Sequence, residues 1–352
     1  MSAVLPDAAG AGTHHETPSS YQELPQFGGV PSVAAVISHE LEKRWSGDSS
    51  YLGAMCHYAL VPTGKLFRPM LLAESALAVG GELSWVLPAA VGAECGHVAS
   101  LIHDDIIDDD DLRRGRASVQ HKFGIGDAIV AGDALIFDLF AGLAECQQTG
   151  VPAERVVASL AAVSRAGLDL CKGQSLESEL SRELRFDADA YLLVAKLKTA
   201  AYFRGACESG AIMGGGSRTD IEALAAYGDH LGLAFQIHDD LLAYLSDPEN
   251  TGKSGTSDLQ NARMTLPIIF AYNAANDEER QFIRDCMVSL ADPQSALELV
   301  HDLLRRTGAI EASAAIARDH AQKARYALDC LPPSASRDQL CWIAELVIAR
   351  DH

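Results

Sequence analysis

From Pro31 to the C-terminus, Ala, Leu, Ile and Val recur at three- and four-residue spacing, with no sustained alternation. That period gathers apolar side chains on one stripe of a helix, whereas a half-buried strand needs a period of two. The pattern runs through about 31–46, 66–80, 84–106, 126–149, 152–176, 187–213, 219–245, 258–274, 293–330 and 337–350. Strand signals are scarce, and no Asn-Gly or Asp-Gly pair marks a hairpin. Pro88, Pro152, Pro267 and Pro293 fall near segment starts or turns, and Gly214-Gly215-Gly216 follows a segment end. Segments 84–106 and 219–245 are apolar on nearly every face, which places them at the centre of a bundle. The expected fold class is all-α, one large domain over 31–352. Residues 1–30, rich in Gly, Ala, Ser, Thr and Pro without an apolar period, read as a flexible tail.

Charge narrows the partners. With 28 Lys+Arg against 48 Asp+Glu, the net charge of −20 disfavours nucleic acid, whose phosphates need a basic face. A local basic pocket for a small phosphorylated ligand stays compatible with it. No apolar run reaches membrane-spanning length; Asp133 and Asp138, for instance, interrupt 128–144. No basic flank and apolar block open the chain, so no secretory signal is expected. The 8 cysteines include no Cys-x-x-Cys pair and read as reduced thiols of a cytoplasmic protein.

The chemistry concentrates at the ends of two apolar segments. The first reads His103-Asp104-Asp105-Ile106-Ile107-Asp108, followed by Asp109-Asp110-Asp111-Leu112-Arg113-Arg114-Gly115. Asp104 and Asp108 share a helix face, about 6 Å apart, and like charges so placed call for a cation between them. Mg2+ typically uses one or two carboxylates plus phosphate oxygens. Asp109, Asp110 and Asp111 read as a solvated helix end. The second tip is Phe235-Gln236-Ile237-His238-Asp239-Asp240-Leu241-Leu242-Ala243. Two such tips facing each other demand cations, which points to several Mg2+ ions holding a diphosphate. Lys65 and Arg68 in Gly64-Lys65-Leu66-Phe67-Arg68-Pro69, Arg113-Arg114, Lys198-Thr199 and Gly252-Lys253 supply positive charge. Those at a helix start gain from backbone N–H groups as well. His103 and His238 read as structural, since Mg2+ prefers oxygen ligands.

Together these residues resemble the trans-isoprenyl diphosphate synthases, the polyprenyl synthetase family, from about Pro31 to the C-terminus. Lys65, Arg68 and Pro69 are similar to the family's GKxxRP element, and Asp104 to Gly115 to its first aspartate-rich motif, DDxxDxxxxRRG. Gly132-Asp133, Gln174, Lys198-Thr199, Phe235-Gln236, Asp239-Asp240, Lys253 and Asp258 also fall in family order. The resemblance implies a single large helical bundle of the isoprenoid synthase type with a central substrate cavity. It implies condensation of an allylic diphosphate with isopentenyl diphosphate, head to tail, in a homodimer. Mg2+ is the implied cofactor, three ions per active site with Mn2+ as a substitute, held by Asp104, Asp108 and Asp239, with Asp105 and Asp240 assisting. By the same resemblance Lys65, Arg68, His97 and Arg114 seat isopentenyl diphosphate. Arg113, Lys198 and Lys253 act on the allylic diphosphate, and Thr199 and Gln236 turn oxygen dipoles towards the allylic cation. The growing chain passes residues four, five and eight positions before Asp104: Ser100, Ala99 and Gly96, all small. No aromatic stands among them, so the expected product is C20 or longer, unless Phe137 or Phe140 closes the tunnel lower down.

Two positions depart from the family pattern. Ala243 replaces the last aspartate of the second motif, for which Asp247, one turn on, is a potential substitute. Arg263 stands where the family has Lys before Thr-Leu-Pro, and keeps the charge. Three rival readings share parts of the pattern. A class I terpene cyclase matches half its second motif on Asp239, Asp240, Ala243 and Asp247, but has no use for Lys65, Arg68 and Arg114. A carboxylate-bridged di-iron bundle would use Glu94…His97 and Glu298…His301, pairs that chance supplies in a chain this size. A non-catalytic subunit of a heteromeric prenyl synthase would lose its aspartates, whereas the first motif is intact here.

Overall fold

The computed structural model describes residues 32–245, 263–288 and 293–349, and those from Val33 onward form one compact unit. The chain enters through α1 (Val33–Arg44) and α2 (Tyr51–Leu60). Ser50 opens α2, its hydroxyl accepting from the Gly53 N–H at 3.0 Å. Next come α3 (Phe67–Ala78), α4 (Leu83–Asp108) and a small antiparallel hairpin, β1 (Leu112–Arg113) with β2 (Arg116–Ala117). α5 (Val119–Phe123), α6 (Ile125–Glu145) and α7 (Ala153–Glu183) follow. α8 (Ala188–Val194) runs through a π-helical stretch, Ala195–Ala200, into α9 (Ala201–Gly214), which Gly215 ends at φ +88°. α10 (Arg218–Leu245) leads to α11 (Leu266–Ala274), α12 (Asp277–Val288), α13 (Pro293–Arg306), α14 (Ala309–Ala327) and α15 (Ala335–Ala349).

The centre is built by close backbone approach. α4 packs on α6 and α3, while α9 packs on α3, α7 and α10. A side chain on Gly142 would place its Cβ 2.4 Å from the Pro88 carbonyl oxygen, and one on Gly92 would meet the Leu139 carbonyl at 2.9 Å. These two glycines let α4 and α6 touch along their backbones. Around them Ala89, Ala90, Leu135, Leu143, Phe203 and Leu231 are fully buried. α4 is also the one described helix long and apolar enough to cross a membrane, contrary to the sequence expectation. Some 67% of its apolar window is buried inside the bundle, which accounts for its composition.

The periodicity located most helices and misplaced several boundaries. Segment 293–330 is two helices, broken where Gly308 adopts φ +68°, and α2 and α12 were not anticipated at all. Pro88 lies inside α4, not at its start. A hairpin does exist. Arg114 and Gly115 form its two-residue turn at φ +53° and +74°, the conformation that matches strand twist, although the usual Asn-Gly signal is missing. The proposed tail, residues 1–30, lies outside the described residues, as do Asp247, Lys253 and Asp258.

Candidate active site

α4 and α10 end on opposite walls of one cavity of about 350 Å³, with α7 and the π-helical stretch closing its sides. Asp104 and Asp108 from α4 and Asp239 and Asp240 from α10 all line it, so the two acidic tips do face one space. Burial, more than any other cause, raises the Asp104 carboxyl above its ordinary range; Lys198 opposes this, while Asp108 and Glu177 add to it. Among the described residues no three acidic, His or Cys side chains converge on a single point. The protein therefore offers carboxylates on two sides rather than a closed cage, a donor set suited to Mg2+ completed by phosphate oxygens.

The π-helical stretch presents Lys198 and Thr199. Inserting one residue per turn re-aims side chains, and such bulges recur at functional sites. Two glycines clamp it: a Cβ on Gly173 of α7 would fall 2.4 Å from the Lys198 nitrogen, and one on Gly232 of α10 2.4 Å from the Ala200 Cα. Lys198 Nζ donates to Glu177 Oε2 at 2.6 Å and stands 3.9 Å from Asp104 Oδ1. Thr199 Oγ1 donates to Gln236 Oε1 at 2.6 Å, and Gln236 Nε2 donates to Asp240 Oδ1 at 2.8 Å. Tyr191 Oη donates to the other Asp240 oxygen at 2.5 Å. Asp240 is thus committed to holding Gln236 and Tyr191, while Asp239 is exposed at the cavity rim.

Arg68 and His97 form the cationic end. Arg68 Nη1 donates to His97 Nε2 at 3.1 Å, and its guanidinium lies 4.8 Å from the Phe203 ring centroid. Burial pulls the His97 pKa well down, helped by Arg68, Arg114 and Arg113, so the imidazole is neutral. Its Nε2 accepts from Arg68, which puts the proton on Nδ1. Both His97 Nδ1 and Arg68 Nε are buried without a hydrogen-bond partner.

The hairpin sends consecutive arginines to different places. Arg113 lines the main cavity, and its Nε donates to Asp105 Oδ1 at 2.8 Å. Asp105, expected to assist the metal, is instead buried as the counter-charge of Arg113 and is off the cavity wall. Arg114 lies beside Gly64, where a Cβ would meet its Nη2 at 2.3 Å, and is off the main wall, bordering with Asp105 and Arg113 a second hollow of about 30 Å³. Lys65 is exposed and is likewise off the main wall.

Of the three small residues, Ser100 is on the wall, Ala99 is fully buried away from it, and Gly96 is covered by Tyr202. Phe137 points outward at 73% exposure, and neither it nor Phe140 reaches the cavity. His103 faces Asp133 at 3.7 Å across α4 and α6, and His238 is off the wall. Glu94 and His97 belong to the arginine cluster, not to a di-iron centre. Sequence reasoning missed Glu177, Tyr191 and Tyr202. Glu177 lies three residues after Gln174 and Tyr202 four after Lys198, so proximity to those motif residues was the one signal that could have found them, while Tyr191 carried none. Arg263, noted as a charge-keeping exchange, pairs directly with Asp108.

A helical bundle with a central cavity walled by two acid-tipped helices is the isoprenoid synthase fold. The polyprenyl synthetase family model matches residues 49–303. Over 289 residues the chain is 38% identical to a short chain isoprenyl diphosphate synthase of Methanothermobacter thermautotrophicus, covering 82% of this chain and 87% of that one. It is 30% identical to the octaprenyl diphosphate synthase of Escherichia coli, over 92% and 96% of the two chains. A geranylgeranyl pyrophosphate synthase of Corynebacterium glutamicum, solved with isoprenyl diphosphate and magnesium, superposes with a TM-score of 0.79 at 27% identity. That match covers 90% of this chain and 97% of the solved one. The chain belongs to the polyprenyl synthetase family and is a prenyltransferase, a trans-prenyl diphosphate synthase.

Proposed function

We propose that this enzyme condenses an allylic diphosphate with isopentenyl diphosphate, head to tail, in a Mg2+-dependent reaction, and makes a product of C20 or longer. The observation that carries the reading is one cavity lined both by Asp104, Asp108 and Asp239 and by the hydrogen-bonded Arg68–His97 pair. Asp104, Asp108 and Asp239 are the side chains that would hold Mg2+, which when bound neutralises charge on the departing diphosphate. Lys198 and Arg113 face the same oxygens, and Lys253 joins them on the strength of the family resemblance alone. The allylic C–O bond breaks, and Thr199 and Gln236, locked by their shared hydrogen bond, present oxygen dipoles to the cation. Arg68 and His97, with Lys65 and Arg114 added on the strength of the family resemblance alone, hold the second substrate so that its double bond attacks the cation carbon. A proton then leaves the new unit for the released diphosphate. Ser100, small and on the cavity wall, leaves space for hydrocarbon beside α4, which supports the longer products.

The test is incorporation of radiolabelled isopentenyl diphosphate with C5, C10, C15 and C20 primers. Products of C20 or more are expected, and a series ending at C15 overturns the length. Ala243 keeps one alternative in play: absence of incorporation by the chain alone would favour a subunit that needs a catalytic partner. Mn2+ in place of Mg2+ is expected to support turnover in the same assay.

The free thiols of all eight cysteines accord with a cytoplasmic location. Homodimerisation is proposed through α6, whose Ile125, Ile129 and Phe137 form an exposed apolar stripe at 57%, 44% and 73% exposure. Light scattering should give twice the mass of 37.5 kDa for the wild type and a single mass for Phe137→Glu. A dimeric Phe137→Glu protein would move the interface elsewhere.

A further inference from the structure

We propose that Tyr202 is the floor of the prenyl cavity and sets the upper limit of product length, acting from a helix other than the one that bears the first aspartates. This rests on the prenyl-transfer reading of the cavity given above. Tyr202 follows Lys198 by four residues, so one continuous helical run presents both the cation and the ring. The ring crosses to α4 and ends at Gly96, where a Cβ would stand 2.1 Å from the Tyr202 hydroxyl and 2.8 Å from Leu139 Cδ2. Only the missing side chain at Gly96 lets the phenol close that gap. Arg68 lies 5.8 Å from the ring centroid and helps keep it there.

Two cavities meet at this side chain. Tyr202 borders the main cavity and also a second, much smaller one of about 10 Å³ walled by Leu72, Ala93, Leu139, Leu143 and Ala206. The far side is apolar throughout, so a hydrocarbon chain that passed the ring would meet surface as favourable as the surface it left. What stops it is the ring itself, since packed interiors yield little to an incoming chain. Ser100 of α4 leaves the wall open near the aspartates, and an aromatic from α9 closes the space beyond it.

The experiment measures product length for the full chain with labelled isopentenyl diphosphate, an allylic primer and Mg2+. Tyr202→Ala is expected to lengthen the main product by at least one isoprene unit, and Tyr202→Leu, which removes less, to shift it the same way. Tyr202→Phe should leave the length as it is. Gly96→Ala should shorten it, because the added methyl drives the ring into the cavity. That shortening should vanish in Gly96→Ala combined with Tyr202→Ala, a coupling that two independent sites would not show. Active Tyr202→Ala and Tyr202→Leu enzymes with unchanged product length overturn the proposal. A wild type that incorporates no label overturns the prenyl-transfer reading beneath it, which is a different result.

Discussion

Asp104→Asn is expected to lower kcat by roughly 10²–10³-fold, the scale on which loss of one preorganised stabiliser of leaving charge is felt. The exchange keeps shape and removes one negative charge from the wall that would receive Mg2+. A second consequence separates catalysis from folding. The folded-state pKa of Asp104 is raised, chiefly by burial. An acid whose pKa is higher folded than unfolded favours the folded state while protonated, and that contribution declines as pH climbs from the ordinary carboxylate range through the raised value. At neutral pH the charged Asp104 therefore weighs against the metal-free fold, and Asn does not. In Mg2+-free buffer at pH 7 the variant should melt at or above the wild-type temperature. Mg2+ with inorganic diphosphate should raise the melting temperature of the wild type more than that of the variant, because a ligand stabilises only the state that binds it. Wild-type kcat in Asp104→Asn would remove this carboxylate from the site.

Arg68→Lys is expected to raise KM for isopentenyl diphosphate by about 10–100-fold and to leave KM for the allylic substrate within a few-fold. A guanidinium offers a planar fork to phosphate, while an ammonium offers a point charge on a flexible stem. Hydrogen bonds to charged groups contribute about 1.5–3 kcal/mol, and about 1.4 kcal/mol corresponds to tenfold in affinity. The fork is fixed here by His97 at 3.1 Å and by the Phe203 face at 4.8 Å, neither of which a lysine would reproduce. Steady-state kinetics with each substrate varied in turn checks this. An equal rise in both KM values would mean that Arg68 supplies general positive potential and does not seat one substrate.

Much of the site was legible because its chemistry is written in local strings. Asp104 and Asp108 are one helical turn apart, Lys198 and Thr199 are adjacent, and Gln236 lies one turn before Asp240. Such spacings survive folding unchanged, since a helix fixes which residues share a face. The misreadings came where neighbours in sequence part company in space. Asp104 and Asp105 look equivalent as a pair, yet the first faces the cavity and the second is buried against Arg113. Arg113 and Arg114, assigned to different diphosphates from the sequence, differ in that only Arg113 reaches the main cavity, while both border the small hollow.

The tunnel gives the sharpest case. Reading α4 alone found only small residues at Gly96, Ala99 and Ser100 and no aromatic to close the space. Gly96 is covered by Tyr202, more than a hundred positions later, and no local pattern joins the two. Helix periodicity and the acidic ends of α4 and α10 were legible in the sequence, because short-range geometry acts within a few residues. Which carboxylate meets the cavity, how Glu177 holds Lys198, and which side chain covers Gly96 were decided by tertiary packing alone. Those depend on the approach of helices through glycine contacts, and distance along the chain carries no information about it.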